Sequence, residues 1–87
     1  MINETVPYFI YILECSDGSL YTGIAKDVTK RLDEHNNSVK GAKYTKSRRP
    51  LKLLHVEELS DRGCALKREY AIKQLTRMKK LELIRSQ

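Results

Sequence analysis

Two short apolar runs around a tight turn constrain the fold of this chain more than any other feature of its sequence. Residues 8–15 and 20–24 are rich in β-favouring side chains, and an Asp-Gly pair between them is a hairpin signal. A two-residue loop would put Tyr11 and Tyr21 on opposite faces of the sheet, whereas a three-residue loop with Gly18 at positive φ puts them on one face. Because a site that uses both phenols needs a shared face, we expect the three-residue loop.

The rest of the chain contains one more strand signal and three helix signals. Residues 51–59 follow a proline and predict a third strand. Capping residues predict helices at 27–36, from 60 or 61 to 75, and at 76–85. Residues 37–49 lack clear periodicity and are expected to be irregular. This order predicts a single α+β domain over residues 1–87, with a three-stranded, mainly antiparallel sheet packed against helices.

The basic residues are unevenly distributed along the chain. All seventeen Lys and Arg residues follow Ala25, where eight acidic residues leave a charge of +9, against +6 for the whole chain. Clustered cations with an interleaved aromatic side chain suit a phosphate backbone, because charge supplies most non-specific affinity and a tyrosine can stack on a base. The alternative is a solvated loop that only aids solubility. The expected nucleic-acid-binding residues are Lys26, Lys43, Tyr44, Lys46, Arg48 and Arg49.

Two polar residues of the first predicted helix lie on or beside its apolar stripe. At helical spacing, Arg31 and His35 project towards the side that Leu32 buries. An ion pair of Arg31 with Asp27 is the structural alternative, but such pairs are worth only about 0.2 to 0.5 kcal/mol. For His35 the alternative is a favourable interaction with the helix dipole at the C-terminus. We predict that both residues are functional.

Glu69 is the second polar residue at an apolar position. At helical spacing on the third helical segment, it lies inside the apolar arc formed by Ile72, Ala65 and Leu66. A buried unpaired carboxylate would cost several kcal/mol, so Glu69 needs a cation, strong hydrogen bonds or an opening to solvent. Arg68 and Lys73 border this side and could serve as structural partners. A divalent metal ion is the other candidate.

These residues resemble the GIY-YIG nuclease domain. Phe9-Ile10-Tyr11 corresponds to the first triplet of that family, Tyr21-Thr22-Gly23 to the second, and Arg31 stands ten residues beyond Tyr21, where the family has an arginine. The resemblance extends from residue 8 to about residue 83, and it implies the fold predicted above. From composition alone, both tyrosines could be ordinary sheet residues, since aromatic side chains are favoured there.

The resemblance also implies a role for each site residue. Tyr11 would take a proton from the attacking water, and Tyr21 would orient the phosphate or the water. Arg31, with His35 nearby, would stabilise the charge that develops on the scissile phosphate. Glu69 would hold Mg²⁺ or Mn²⁺ as a Lewis acid, as one carboxylate with waters and phosphates often does. The absence of a side chain at Gly23 would let backbone and substrate approach closely.

The sequence departs from the family pattern at two places. Phe9 replaces the first glycine, which affects packing more than chemistry. Larger members have an asparagine after the metal-binding glutamate, and this chain has no asparagine beyond Asn37. Gln74 is the nearest amide that could stand in for it. The chain shows no second DNA-binding domain and is similar to the small single-domain branch of the family.

The sequence therefore predicts a metal-dependent endonuclease acting on DNA, and structured or damaged DNA is one candidate target that the sequence does not decide. A nucleic-acid-binding module that kept the site without effective catalysis is the alternative, and a protein-interaction domain is a third class. No stretch approaches the roughly 18 to 20 apolar residues of a membrane span, so we expect a cytoplasmic protein. A monomer is the default expectation for its oligomeric state. Cys15 and Cys64 are expected to be reduced thiols without a disulfide.

Overall fold

The computed structural model describes residues 6–86 and contains three strands and four helices. All strand pairs are antiparallel, with the order β2-β1-β3, so β1 is central. This confirms the predicted α+β class and sheet. In chain order the elements are β1 (Tyr8–Glu14), β2 (Leu20–Ala25), α1 (Val28–Asn37), α2 (Lys43–Lys46), β3 (Lys52–Leu59), α3 (Arg62–Lys73) and α4 (Arg77–Arg85).

The hairpin has the register that the three-residue loop predicts. Gly18 has φ of +85°, which a glycine adopts without steric cost. Tyr11 pairs with Gly23, and Leu13 pairs with Tyr21. Since directly paired residues project to the same side of a sheet and alternate residues share a face, the two tyrosines lie on one face.

The sheet has a helical layer on each face. On the face of Tyr11, the side chains of Val28 and Leu32 from α1 pack against the sheet. On the opposite face, Ile10 and Ile12 pack against α3 and α4. The central strand is therefore buried on both faces, and the catalytic candidates of α1 and α3 approach the sheet from opposite faces.

The predicted helix starts are correct. The carboxylates of Asp27 and Asp61 and the hydroxyl of Thr76 each accept a hydrogen bond from a backbone N–H in the first turn of the following helix. Such caps satisfy donors that have no partner inside the helix and are worth about 1 kcal/mol each. For α3, the cap is Asp61 and not Ser60.

The segment 37–49 is not wholly irregular, so that expectation was wrong in part. Lys43–Lys46 forms the single-turn helix α2. One turn is too short to produce a helical pattern in the sequence, and an isolated turn is not stable by itself. It is stabilised by the tertiary hydrogen bond of 2.9 Å between Thr45 and His35 and by the local contact of the Arg48 guanidinium, 3.8 Å from the centre of the Tyr44 ring.

Arg49 joins this segment to the end of α1. Its Nε donates to the His35 carbonyl at 2.6 Å, and its Nη2 donates to the carbonyls of Ser38 at 2.5 Å and Glu34 at 3.4 Å. Carbonyls at the end of a helix lack the donors of a following turn, and here only the Glu34 carbonyl already accepts from the helix cap, the Ser38 N–H at 3.0 Å. A cation at this end also interacts favourably with the helix dipole. Because its donors are directed at the backbone, we leave Arg49 out of the phosphate-binding set proposed below.

Replacement of Arg49 should test this structural role. Arg49→Met removes the donors to the α1 carbonyls, so we expect the free energy of unfolding to fall by about 2 kcal/mol. Lys46→Met, which removes an exposed charge nearby, should change it by less than about 0.5 kcal/mol. Urea denaturation followed by circular dichroism measures both. Equal stability of the two variants would contradict the assignment.

Candidate active site

Tyr11 is buried in the centre of the sheet and lies across Gly23. A Cβ atom at Gly23 would be 2.4 Å from the Tyr11 hydroxyl oxygen and 2.6 Å from Cζ, which is closer than real contacts allow. Only glycine at this position lets the phenol extend over β2. The close approach at Gly23 is therefore that of the Tyr11 ring, and the predicted approach of substrate stays a prediction.

The Tyr11 hydroxyl belongs to a buried hydrogen-bonded chain. It lies 2.8 Å from Nε2 of His35, and Nδ1 of His35 lies 2.9 Å from the hydroxyl oxygen of Thr45. The Thr45 hydroxyl also contacts the Ala42 carbonyl at 2.8 Å, and the Ala42 N–H lies 3.4 Å from Nδ1. Tyr11, His35 and Thr45 are at most 2% exposed, so no bulk water competes for these contacts.

Burial keeps both members of the Tyr11–His35 pair neutral. Burial, together with the nearby positive charge of Arg31, lowers the pKa of His35 to about 4. Burial also raises the pKa of Tyr11 to about 12, with Tyr21 adding to the rise and Arg31 opposing it. A neutral imidazole gains nothing as a cation from the helix dipole, which counts against that alternative for His35 at neutral pH.

Arg31 lies at the edge of this buried pair. Its Nη1 donates to Glu34 Oε1 and to the Lys40 carbonyl, both at 2.9 Å, and its side chain is 28% exposed. Burial alone would lower the pKa of Arg31, but the Glu34 carboxylate and the Tyr11 hydroxyl raise it above its ordinary value. The proposed pair with Asp27 does not form, because that carboxylate caps α1.

Tyr21 lies in an aromatic cluster beside the same pair. Its ring centre is 6.4 Å from that of Tyr11, 5.3 Å from that of His35 and 6.0 Å from that of Tyr44, on which it stacks. Tyr44 is 42% exposed. The cluster extends from the buried pair to the surface of α2. The exposed Lys43 directly precedes Tyr44 in that helix.

Glu69 approaches from α3, on the other side of β2. Its side chain is only 18% exposed, and its charge is near enough to contribute to the raised pKa of Tyr11. Of the two structural partners considered, Lys73 is the one that pairs with it, at 3.2 Å. Arg68 instead forms a bidentate pair with Glu57 at 2.7 and 3.0 Å.

The residues around Glu69 fit a magnesium-type ion held mainly by water and substrate. Within residues 6–86, no three His, Cys, Asp or Glu side chains converge as a metal-binding group. Mg²⁺ is commonly held by one or two carboxylates, with waters and phosphate oxygens completing its coordination. The Glu69 carboxylate is mostly covered, and its counter-ion Lys73 is half exposed. Glu69 can therefore serve as the single carboxylate of such a magnesium site. It does not suit zinc, which takes three or four protein ligands.

A cleft of about 300 Å³ opens beside these groups at the outer edge of β2. Its lining comes from both sides of the strand and consists of Leu20, Tyr21, Thr22, Tyr44, Lys73 and Lys80. Lys26 lies elsewhere, in a cleft of about 370 Å³ with Phe9 and the start of α1, and its Nζ is 5.7 Å from the centre of the Tyr8 ring. The structure therefore separates Lys26 from the other predicted site residues.

Sequence reasoning missed Thr45, Glu34 and the two lysines of the cleft. Glu34 could have been found, because it stands three residues after Arg31 on one helix and that spacing favours an ion pair. Thr45 gave no signal, since it lies in a segment without periodicity. Lys73 was considered only as a structural partner, and the position of Lys80 depends on how α4 packs.

Two further expectations concern the membrane and the thiols. None of the helices in residues 6–86 has the length and apolar character needed to cross a membrane. Cys15 is buried, Cys64 is exposed, and both are free thiols.

Comparison with known proteins identifies relatives over nearly the whole chain. The model of the family described as GIY-YIG catalytic domain matches residues 7–82. A UPF0213 protein of Staphylococcus aureus is 58% identical over 78 residues, which is 90% of this chain and 94% of that protein. A UPF0213 protein of Desulfotalea psychrophila is 52% identical over 79 residues, which is 91% of this chain and 72% of that protein.

Solved structures are similar to this fold as well. The solution structure of a UPF0213 protein from Bacillus halodurans is 42% identical, with a TM-score of 0.61 over 93% of this chain and 85% of that one. The solution structure of a protein from E. faecalis is 37% identical, with a TM-score of 0.65 over 98% of this chain and 90% of that one.

The contact between Tyr11 and Gly23 predicts the effect of a methyl group. Gly23→Ala forces the phenol to move, so we expect a loss of about 1 to 3 kcal/mol in the free energy of unfolding. Gly63→Ala is the matched control, because its new Cβ would be 3.4 Å from its nearest neighbour, an ordinary contact. It should change stability by less than about 1 kcal/mol in denaturant titrations. A Gly23→Ala protein as stable as wild type would show that Tyr11 does not occupy this space.

The low pKa of His35 predicts a pH-dependent stability. Between pH 6.5 and about 4, the unfolded chain binds a proton at His35 that the folded chain does not. The free energy of unfolding should therefore fall as pH decreases through this window, by up to about 3 kcal/mol from this group. His35→Gln removes the titrating group, so its stability should depend less on pH over the same range in urea titrations. The same pH slope in both proteins would contradict a buried neutral His35.

Proposed function

The chain belongs to the GIY-YIG family, and we propose that it is an endonuclease that hydrolyses phosphodiester bonds in DNA with the help of a divalent cation. Membership in this family indicates a nuclease domain with a nucleic-acid substrate, and such nucleases generally depend on a divalent metal. The observation on which the proposal rests is the buried hydrogen bond of 2.8 Å between Tyr11 and His35, with Arg31 at its edge. An ordinary core has no need for this arrangement.

In the proposed reaction, Tyr11 accepts the proton of the attacking water and passes its own proton to His35. The Thr45 hydroxyl donates to the Ala42 carbonyl, so it can accept from Nδ1–H of His35 at 2.9 Å. The relay requires this tautomer, in which the more distant Ala42 N–H, 3.4 Å from Nδ1, has no acceptor there. Nε2 is then the free acceptor that faces the Tyr11 hydroxyl. With a pKa of about 12 the Tyr11 phenol stays protonated at neutral pH, and His35 with a pKa of about 4 is a weak acceptor. The relay therefore needs the positive charges of the occupied site to favour the phenolate, although the charge of Arg31 also lowers the pKa of His35.

Arg31 would supply one of those charges. Its guanidinium is held by Glu34 and by the Lys40 carbonyl, both at 2.9 Å, so it is positioned before substrate arrives. A fixed guanidinium stabilises the negative charge that develops on the scissile phosphate without reorganising in the transition state. Its proximity to Tyr11 also favours the phenolate form during proton transfer.

Glu69 is the proposed ligand of the metal ion. When bound, Mg²⁺ or Mn²⁺ supplies Lewis-acid stabilisation of the phosphate. The carboxylate of Glu69 is covered from most of the solvent, which strengthens its attraction for a cation. Tyr21, whose ring centre is 6.4 Å from that of Tyr11, would orient the phosphate or the attacking water.

The proposed nucleic-acid surface extends from this site over α2. Lys43 and Lys46 are exposed there, and Tyr44 connects them to Tyr21. Arg48 is a weaker member, because its Nε donates to Asp17 at 3.1 Å and its Nη1 to the Tyr44 carbonyl at 2.8 Å. Lys26 remains a proposed contact only for a longer segment of nucleic acid, since it lies outside the tyrosine cluster.

A binding module without effective catalysis is the second candidate. The observation in its favour is the raised pKa of Tyr11, which makes deprotonation costly when no cation is present. The absence of the family's late asparagine supports it further. Gln74 is exposed at the C-cap of α3, one residue after Lys73.

Glu69→Gln should separate the two candidates. It keeps the side-chain shape and removes the charge, so cleavage should fall by at least about 100-fold while DNA affinity in chelator is retained. Glu58→Gln makes the same chemical change at an exposed position of β3, the strand at the opposite edge of the sheet, and should cleave like wild type. The measurement is nicking of supercoiled plasmid and of branched DNA, with Mg²⁺, Mn²⁺ or chelator.

Two results would contradict the nuclease proposal. Wild-type protein that shows no metal-dependent nicking of plasmid, single-stranded or branched DNA would favour the binding module. Glu69→Gln that cleaves as fast as Glu58→Gln would leave Glu69 as the structural partner of Lys73.

A further inference from the structure

Lys73 belongs to two groups of residues at once. Its ammonium nitrogen is 3.2 Å from Glu69 Oε2, and its side chain also lines the 300 Å³ cleft at the outer edge of β2. The side chain is 51% exposed, so it can reorient without unpacking the core. One residue therefore connects the proposed metal ligand to an open cleft.

The rest of the cleft has the character of an anion site. Lys80 of α4 lines it and forms no ion pair with any residue in the described range 6–86. Thr22 is only 4% exposed, and its buried hydroxyl has no hydrogen-bond partner among those residues. A buried hydroxyl without a partner is uncommon in folded proteins, and it points to a ligand or water at this edge.

The opposite wall is aromatic. Tyr21 and Tyr44 line the cleft with their rings stacked. Two lysine side chains and two aromatic rings in one cleft suit a phosphate group attached to a sugar and a base, because the charges attract the phosphate and the rings contact its apolar neighbours. The location, beside Tyr21 and Glu69, suits a phosphate next to the bond that is cleaved.

We propose that this cleft binds a nucleic-acid backbone phosphate that flanks the scissile one, and that Glu69 holds Lys73 back from it until a divalent cation takes the carboxylate. The inference rests on the proposed function, because it requires Glu69 to be the metal ligand. Binding of the cation releases Lys73, which then joins Lys80 in the cleft. Metal and flanking phosphate consequently bind with positive coupling, and by linkage each increases the affinity of the other.

The strength of the ion pair makes this exchange feasible. An ion pair with one half-exposed partner is weak, so a doubly charged ion can replace the lysine at the carboxylate. The lysine nevertheless reduces the affinity for the metal by a measurable factor. Weak pairs of this kind correspond to about a two- to fivefold change in an equilibrium constant.

The first arm of the test measures metal affinity and needs no catalysis. Free Mn²⁺ is titrated with protein by electron paramagnetic resonance. Lys73→Met should bind Mn²⁺ about two- to fivefold more tightly than wild type, because the competing ammonium is gone. Lys80→Met removes the same charge from the same cleft but not from Glu69, so its Mn²⁺ affinity should stay within about twofold of wild type. Glu69→Gln should lose the binding.

The second arm measures DNA affinity, by fluorescence anisotropy of a single-stranded DNA with hydrolysis-resistant phosphorothioate linkages. In chelator, Lys80→Met should weaken binding and Lys73→Met should not, since Lys73 is paired with Glu69. In Mn²⁺, both should weaken it, and the salt dependence of Lys73→Met should fall by about one phosphate contact, a slope change of roughly 0.7. The metal itself should tighten binding more for wild type than for Lys73→Met.

The outcomes distinguish this inference from the proposed function. If Mn²⁺ binds wild type and requires Glu69, but Lys73→Met changes neither metal affinity nor the metal dependence of DNA binding, only the exchange of Lys73 is overturned. It is also overturned if Lys80→Met raises Mn²⁺ affinity as much as Lys73→Met does. If wild type binds no Mn²⁺, or binds it equally well as Glu69→Gln, the metal site and this inference both fail.

Discussion

The hydrogen bond of 2.8 Å between Tyr11 and His35 is the contact on which the rest of the site depends. It requires a central strand to bury the phenol, a glycine at position 23 to leave it room, and a helix to deliver the imidazole. It also requires Thr45, because a buried imidazole with an unpaired nitrogen would be costly. Each of the elements β1, β2, α1 and α2 supplies one of these four residues.

The charges of the site lie at its rim, and its centre is neutral. Burial keeps the Tyr11–His35 pair uncharged, while Arg31 and Glu69 remain partly exposed on opposite sides of the sheet edge. Charges placed at a surface avoid most of the desolvation penalty that a buried ion pair would incur. In the proposed reaction, a phosphate that enters between them would meet the held guanidinium of Arg31, the carboxylate of Glu69 and the two phenols. Proton transfer and charge stabilisation would then be carried out by different groups.

The sequence predicted the parts of this structure that depend on local rules. Hairpin register followed from Gly18 and the requirement for a shared face, helix starts followed from capping residues, and the position of His35 followed from helical periodicity. Long-range contacts could not be predicted in this way. Arg49 binds carbonyls up to 15 residues away, and Thr45 reaches His35 from a segment without periodicity. No local pattern encodes such partners, because the fold brings them together.

The most direct test of the account is the single-turnover rate of Tyr11→Phe on the DNA that wild type cleaves fastest, with Mn²⁺ present. This substitution removes one oxygen atom and retains the ring that packs over Gly23. We predict a protein that remains folded and binds DNA, and that cleaves at least about 100-fold more slowly than wild type, because the proton acceptor and its link to His35 are lost. A folded Tyr11→Phe protein that cleaves at the wild-type rate would contradict the central role of the Tyr11 hydroxyl.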